Sequence, residues 1–162
     1  MDFTRDILPL KNVLYRTALR ITLNREEAED IVQDVLLRLW ERRSELGKVG
    51  NLEAFALKSV RNLALDRIAL KQNKTIQLSI DLHDHADTQP LQTEAMIRSE
   101  QAAAIHQAIS RLPEKQRTAL QLRDIEGKTY KEIAQTMDIA ETDVKISIYR
   151  GREFLKKICK IL

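Results

Sequence analysis

Between Val144 and Leu162 the sequence sets Lys145, Arg150, Arg152, Lys156, Lys157 and Lys160 against a single acid, Glu153. A helix so dominated by one sign of charge is suited to neutralising phosphate along a nucleic-acid backbone. The residues just before it, "TYKEIAQTMDIAETDV", complete a unit. Thr129 can cap a short helix, and Glu132 three residues later can close a capping box. Ile133, Ala134 and Met137 then share an inward face, "MDIA" makes a turn, and Ile139 plugs the space between two helices. Val144, Ile148 and Leu155 line the second helix at helical spacing. This is the pattern of a helix-turn-helix, whose second helix enters the major groove. Other chemistry is thinly represented. His83, Asp84, His85 and Asp87 are metal-ligand types, but they stand in a polar stretch with no cysteine pair, and no metal site is expected. Cys159 has no histidine near it in sequence and reads as a small packing residue. Neither a glycine-rich phosphate loop nor a catalytic carboxylate constellation occurs, so neither an enzyme nor a cofactor is expected.

The elements that must hold this helix in place read as helices too. Four glycines, three prolines and 4% aromatics in 162 residues leave little for hairpin turns. "NREEAEDIVQDVLLRLWERR" opens with Asn24 as cap and Glu27 three residues on, a second capping-box arrangement. Ala28, Ile31/Val32, Val35/Leu36 and Leu39/Trp40 follow at helical spacing, with Trp40 expected to pack into the core. Upstream, Val13/Leu14, Ala18 and Ile21 repeat the pattern, and Pro9 marks either the first turn of that helix or a kink in it. After the break "SELGKVGN", the positions Leu52, Phe55/Ala56, Val60, Leu63/Ala64 and Ile68 define a third helix. Three such helices can form a small bundle. "TIQLSIDLHDHADTQPLQTE" has no helical period and reads as a linker, with a short extended piece over 76–82. Helical pattern resumes over 98–110, Pro113 starts the next helix, and Gly127 ends it.

Charge divides the chain at the same places. Residues 1–74 carry net +3, residues 75–97 net −4, and residues 98–162 net +4. Two weakly basic blocks flanking an acidic middle suggest two domains and a linker. The expected fold is therefore all-α: two small helical domains, 1–74 and 98–162, joined by a flexible linker, 75–97, with the helix-turn-helix in the second domain. A single cysteine, no apolar run of membrane-spanning length, and acids near the N-terminus where a signal peptide carries bases together point to the cytoplasm.

The segments "YRTALRITLNREEAEDIVQDVLLRLWE", "NLEAFALKSVRNLALD" and "LPEKQRTALQLRDIEGKTYKEIAQTMDI" resemble the extracytoplasmic-function sigma factors of bacterial RNA polymerase, in family order and at family spacing. The likeness implies a sigma region two followed by a sigma region four. It implies that the helix over 26–43 docks on the clamp helices of the polymerase's largest subunit, with Asp30, Gln33 and Asp34 at the matching positions. The loop over 45–51 and the following helix correspond to the element that captures a flipped base of the minus-ten sequence. Leu46 and Asn62 fall at matching positions there, and the Asn62 amide, both donor and acceptor, is the better suited. Lys58, Arg61, Arg67, Lys71 and Lys74 could track the phosphates of the separated strand. For the minus-thirty-five element, Lys145, Tyr149, Arg150 and Arg152 match contact positions, and Arg123, Tyr130 and Lys131 match phosphate-side positions. The resemblance also implies core RNA polymerase and promoter DNA as partners, with an anti-sigma protein as a control partner.

Three departures bear on promoter choice. Ala140 replaces the usual Ser or Thr cap of the reading helix. Asp143 stands where threonine is common, and either repels phosphate or accepts a bond from a cytosine amino group. Ile146 and Ser147 occupy positions usually polar or basic, and Ile146 either touches a thymine methyl or packs. Two alternative readings carry distinct expectations. A stand-alone helix-turn-helix regulator would bind duplex DNA tightly without polymerase, usually at a palindrome. A helical adaptor would show no salt-dependent DNA binding at all.

Overall fold

The computed structural model describes residues 2–78 and 100–161, without the side chains of 74–78, 101 and 159–161. All regular secondary structure among the described residues is helical. The helices are α1 (Phe3–Asp6), α2 (Lys11–Thr22), α3 (Arg25–Glu41), α4 (Leu52–Leu78), α5 (Glu100–Ser110), α6 (Glu114–Leu120), α7 (Tyr130–Met137) and α8 (Glu141–Ile161). Short 3₁₀ turns, Leu8–Leu10 and Leu46–Lys48, precede α2 and α4, and α6 widens into a π turn over Gln121–Ile125. No helix among the described residues is long and apolar enough to cross a membrane.

In the first unit α2, α3 and α4 pack against one another. Val13, Leu14, Ala18 and Ile21 of α2 meet Ala28, Ile31, Val32, Val35 and Leu39 of α3 and Ala56, Leu57, Val60 and Ala64 of α4. Pro9 lies in the 3₁₀ turn ahead of α2, where its missing N–H costs no helical bond. Asn24 caps α3, its Oδ1 accepting from Glu27 N at 2.9 Å. Only half of the expected box forms, because the Glu27 carboxylate turns away to Arg67 and Lys71, and Asn24 N donates to Thr22 Oγ1 instead. In the second unit α5, α6 and α7 pack on α8. Here the Thr129–Glu132 capping box is complete. Gly151 lets α6 and α8 cross closely: a Cβ there would stand 2.7 Å from Leu120 Cδ1. Gly127, at φ +72°, reverses the chain after the π turn in the left-handed region that glycine tolerates.

The two units touch. Helix α2 lies against α6 and α4 against α7, and the buried apolar side chains join into one cluster from Ile7 to Ile148. Arg117 of α6 is only 8% exposed. It donates to the carbonyls of Arg20 (2.6 Å) and Ile21 (2.8 Å) in the last turn of α2, and to that of Leu112 (2.7 Å).

Several sequence expectations need correction. Trp40 is 46% exposed rather than core: Leu39 takes the inward position, and the next residue is turned about 100° away on the helix. Its ring meets Phe3 edge-on at 5.1 Å and lies 3.9 Å beneath the Arg43 guanidinium. Phe55 is likewise exposed, the inward positions going to Ala56 and Leu57. Helix α4 continues through Leu78, so residues 76–78 are helical and not extended. The rest of the expected linker, with His83, Asp84, His85 and Asp87, lies outside the described residues. Pro113 sits one residue earlier than expected, at the cap of α6 rather than inside it.

Candidate nucleic-acid interface

The helix-turn-helix is built as its sequence reads. Ile133, Met137, Val144 and Ile148 are buried, Asp138 turns the chain in the left-handed conformation, and Ile139 packs against the core between the two helices. This leaves one face of α8 to solvent. Lys145, Ile146, Tyr149 and Arg150 are exposed there, Ile146 by 46% and Tyr149 by 65%, while Ser147 is buried. Ile146 is therefore not a core residue. Asp143 is exposed in the first turn. Tyr130 gathers the flanking cations, with the Arg123 guanidinium 4.3 Å and the Lys145 ammonium 5.5 Å from its ring centre. Arg123 is held in that place by donating to Lys128 O at 2.9 Å. Lys131 is exposed beside them. Arg152 differs from its neighbours in being paired, through two bonds to the Asp124 carboxylate (2.5 and 3.2 Å).

The reading helix begins with an unassisted cap. The Ala140 carbonyl accepts from Asp143 N and Val144 N, but its side chain offers no acceptor to the free N–H groups, and only Glu141 and Asp143 complement the helix dipole. Replacing Ala140 by serine should raise stability by about 1 kcal/mol, seen as a higher melting temperature in thermal denaturation, with the exposed reading face unchanged.

On the other unit, the residues expected to meet the minus-ten strand fall into three groups. Lys58 is half-buried and Asn62 exposed on α4. Leu46 is 4% exposed and belongs to the apolar core, so it supports the loop from beneath. Arg61 and Arg67 are engaged. Arg61 donates to both Glu114 oxygens (3.1 and 2.9 Å) and to Met137 O (3.0 Å). Arg67 reaches across to α3, 2.7 Å from Asp34, 3.3 Å from Glu27 and 3.7 Å from Asp30, and Lys71 lies 3.7 Å from Glu27. The side chain of Lys74 is outside the described residues.

The acidic face of α3 is therefore only partly neutralised. Asp30 is exposed, Asp34 is about half exposed, and Gln33 stands open between them. Leu37, one turn further along the same face, is exposed as well. Periodicity could have found Leu37, because it falls outside the inward stripe of α3. No local pattern could have found the contacts between the units, such as Arg16 with Glu126, which are 110 positions apart.

One helical unit thus presents a partly neutralised acidic face on α3 and the other an exposed face on α8 flanked by cations, the arrangement of a two-part helix-turn-helix protein. Residues 7–74 match the family model "Sigma-70 region 2" and residues 102–155 match "Sigma-70, region 4". The sigma factor SigW of Bacillus subtilis is 30% identical, over 96% of this chain and 88% of its own length. Sigma-H of Pseudomonas aeruginosa is 27% identical over 94% and 84%. SigE of Mycolicibacterium smegmatis is 28% identical over 88% of this chain, which spans 56% of that relative. Among solved structures, the sigma factor RpoE of Bartonella quintana, in complex with the anti-sigma factor NepR, shares the fold with a TM-score of 0.76 at 23% identity, covering 99% of this chain and 98% of that one. The chain belongs to the extracytoplasmic-function sigma factors of the sigma-70 family. Such a protein is a non-enzymatic subunit that directs RNA polymerase to promoters.

Proposed function

We infer that the chain works as a dissociable cytoplasmic specificity subunit. Region two, over 1–74, docks on core RNA polymerase and captures the minus-ten strand, and region four, over 98–162, reads the minus-thirty-five element. The acidic stretch 75–97 links them. The observation that carries the reading is the solvent-facing side of α8, where Lys145, Ile146, Tyr149 and Arg150 stand together, flanked by Arg123, Tyr130 and Lys131. Asp30, Gln33 and Asp34 dock on the polymerase, their acids and amide suited to basic residues on a partner helix. Lys58, Arg61, Asn62 and Lys71 serve the minus-ten strand. Arg67 acts from one step back, by fixing α4 to the docking acids. Arg152, paired with Asp124, meets the backbone rather than a base edge. Control falls to an anti-sigma partner, the kind of protein bound to the Bartonella quintana sigma factor.

The test begins with transcription from fragmented genomic DNA by core polymerase supplied with this protein, and mapping of the start sites. Specific initiation that requires the added protein supports the reading. Binding to a palindromic duplex with no effect on polymerase would replace it with a stand-alone regulator. Within the mapped minus-thirty-five element, base readers and phosphate contacts then separate. Lys131→Ala should weaken all promoters alike, whereas Arg150→Ala should change preference among them. Ile146 has no side-chain hydrogen bond to offer, and the methyl on thymine C5 is the apolar group a base presents in the major groove. Exchanging the contacted thymine for uracil removes only that methyl and should weaken duplex binding about fourfold, on the order of one buried carbon. The Ile146→Ala protein should be indifferent to the exchange.

A further inference from the structure

The cations around the reading helix are held in two different ways. Arg152 meets a carboxylate: both of its bonds go to Asp124, so the pair carries no net charge. Arg123 and Lys145 meet a ring instead. The Arg123 guanidinium lies 4.3 Å and the Lys145 ammonium 5.5 Å from the centre of Tyr130. Among the described residues neither of these cations has a carboxylate partner. Arg123 donates one N–H to Lys128 O, and a guanidinium has others to offer. The ring itself is fixed from below. Tyr130 is the first residue of α7, directly after the cap Thr129, and its half-buried side chain packs against the core. It stands where the π turn that carries Arg123 and the helix α8 that carries Lys145 come together.

The two kinds of holder leave the cations able to do different things. A carboxylate fixes an arginine, but it cancels the charge and occupies the fork of N–H donors. An aromatic face attracts a cation through its quadrupole and leaves the net charge whole. The N–H groups in the plane of a stacked guanidinium stay free to donate to something else. Without such a holder, two long side chains of like charge swing apart in water, and ordering each of them again on DNA costs affinity. We propose that Tyr130 is a positioning residue for promoter binding, whose ring holds Arg123 and Lys145 charged and pre-arranged for the duplex at the minus-thirty-five element. The proposal rests on the assignment of this face of α8 to that element. It moves the work of Tyr130 from its hydroxyl to its ring: the residue acts through its two neighbours rather than by touching DNA itself. Asp124 marks the contrast, since it follows Arg123 directly in sequence yet gives its carboxylate to Arg152.

The test uses the full chain assembled with core polymerase, on a promoter duplex carrying the mapped minus-thirty-five element. Tyr130→Leu removes the ring but keeps apolar bulk against the core. It should weaken binding about tenfold, the cost of ordering two long side chains afresh. Tyr130→Phe removes only the hydroxyl and should rescue that loss. Phenylalanines with an increasing number of ring fluorines at the same position should then lower affinity stepwise, because each fluorine draws electron density from the ring face and barely changes its size. This series keeps the packing, so it decides the matter even where Tyr130→Leu loosens α7. Coupling completes the test. Arg123→Ala should weaken the wild type about tenfold, as the loss of one charge-assisted bond does, and the Tyr130→Leu protein far less. Equal affinity of wild type and Tyr130→Leu overturns the proposal, as do additive losses for Tyr130→Leu and Arg123→Ala. A Tyr130→Phe loss as deep as that of Tyr130→Leu gives the work to the hydroxyl and overturns it too, and a flat fluorine series reduces the ring to packing. Scrambling the minus-thirty-five element under the wild type then locates the fault. Unchanged affinity means that the assignment of α8 failed and the platform with it, and lowered affinity means that the platform alone failed.

Discussion

Arg117→Met should lower the unfolding free energy by about 3 kcal/mol and resolve one cooperative thermal transition into two. Each of its three bonds is a hydrogen bond from a charged group, typically worth about 1.5–3 kcal/mol. Burying the charge offsets a large part of their sum, and the same burial pulls the guanidinium below the ordinary arginine pKa. The balance stays favourable because of what accepts. The carbonyls of Arg20 and Ile21 belong to the last turn of α2, where no following N–H reaches them and the helix dipole is negative. Methionine fills much of the same space, so the loss reports on the polar contacts rather than on a cavity. Because those contacts join α6 to α2, the variant should also uncouple the units. Calorimetry reads both effects at once. An unchanged melting temperature with a single transition would mean that Arg117 neither stabilises the fold nor links its halves.

Reversing two charges on α3, with Asp30→Arg and Asp34→Arg together, should weaken binding to core polymerase by about a hundredfold or more. Placing like charges opposite one another at an interface costs several kcal/mol, and about 1.4 kcal/mol is a factor of ten in affinity. Both residues are open enough to meet a partner, yet Arg67 lies 3.7 Å from Asp30 and 2.7 Å from Asp34. The reversal therefore also sets like charges against Arg67 inside region two, and circular dichroism must show the helices intact. Arg67→Ala separates the two effects. It leaves both carboxylates in place and should retain binding when each variant is used to pull down core polymerase. A doubly reversed chain that is folded and still binds polymerase at wild-type strength would remove α3 as the docking helix.

The helices and the helix-turn-helix were legible because each rests on local rules. The inward stripe Val144–Ile148 and the complete box at Thr129 depend on residues within one or two turns of each other. The misreadings share a cause. Helical spacing pairs Leu39 with Trp40 and Phe55 with Ala56 without choosing between them, and in each pair the ring is the one left outside while its neighbour is buried. Glu27 was assigned to its own cap, but a residue 40 positions away, Arg67, took its carboxylate. The π turn at Gln121–Ile125 left no recognisable mark in the pattern. Most consequential, the cations on the minus-ten face are expected there from their place on or just past one helix, which says nothing of their partners. The structure gives Arg61 and Arg67 partners on other elements, and those partnerships depend on tertiary contact that no spacing within the sequence expresses.

Helix α4, 27 residues and about 40 Å long, is a single rod shared by these partnerships. Arg61, turned toward region four, and Arg67, turned toward the docking acids, are six residues apart, about 9 Å along one axis. A continuous helix over so short a span transmits rotation and translation almost without slack. Whatever pulls on Asp34 from outside therefore also bears, as leverage, on where Arg61 can point.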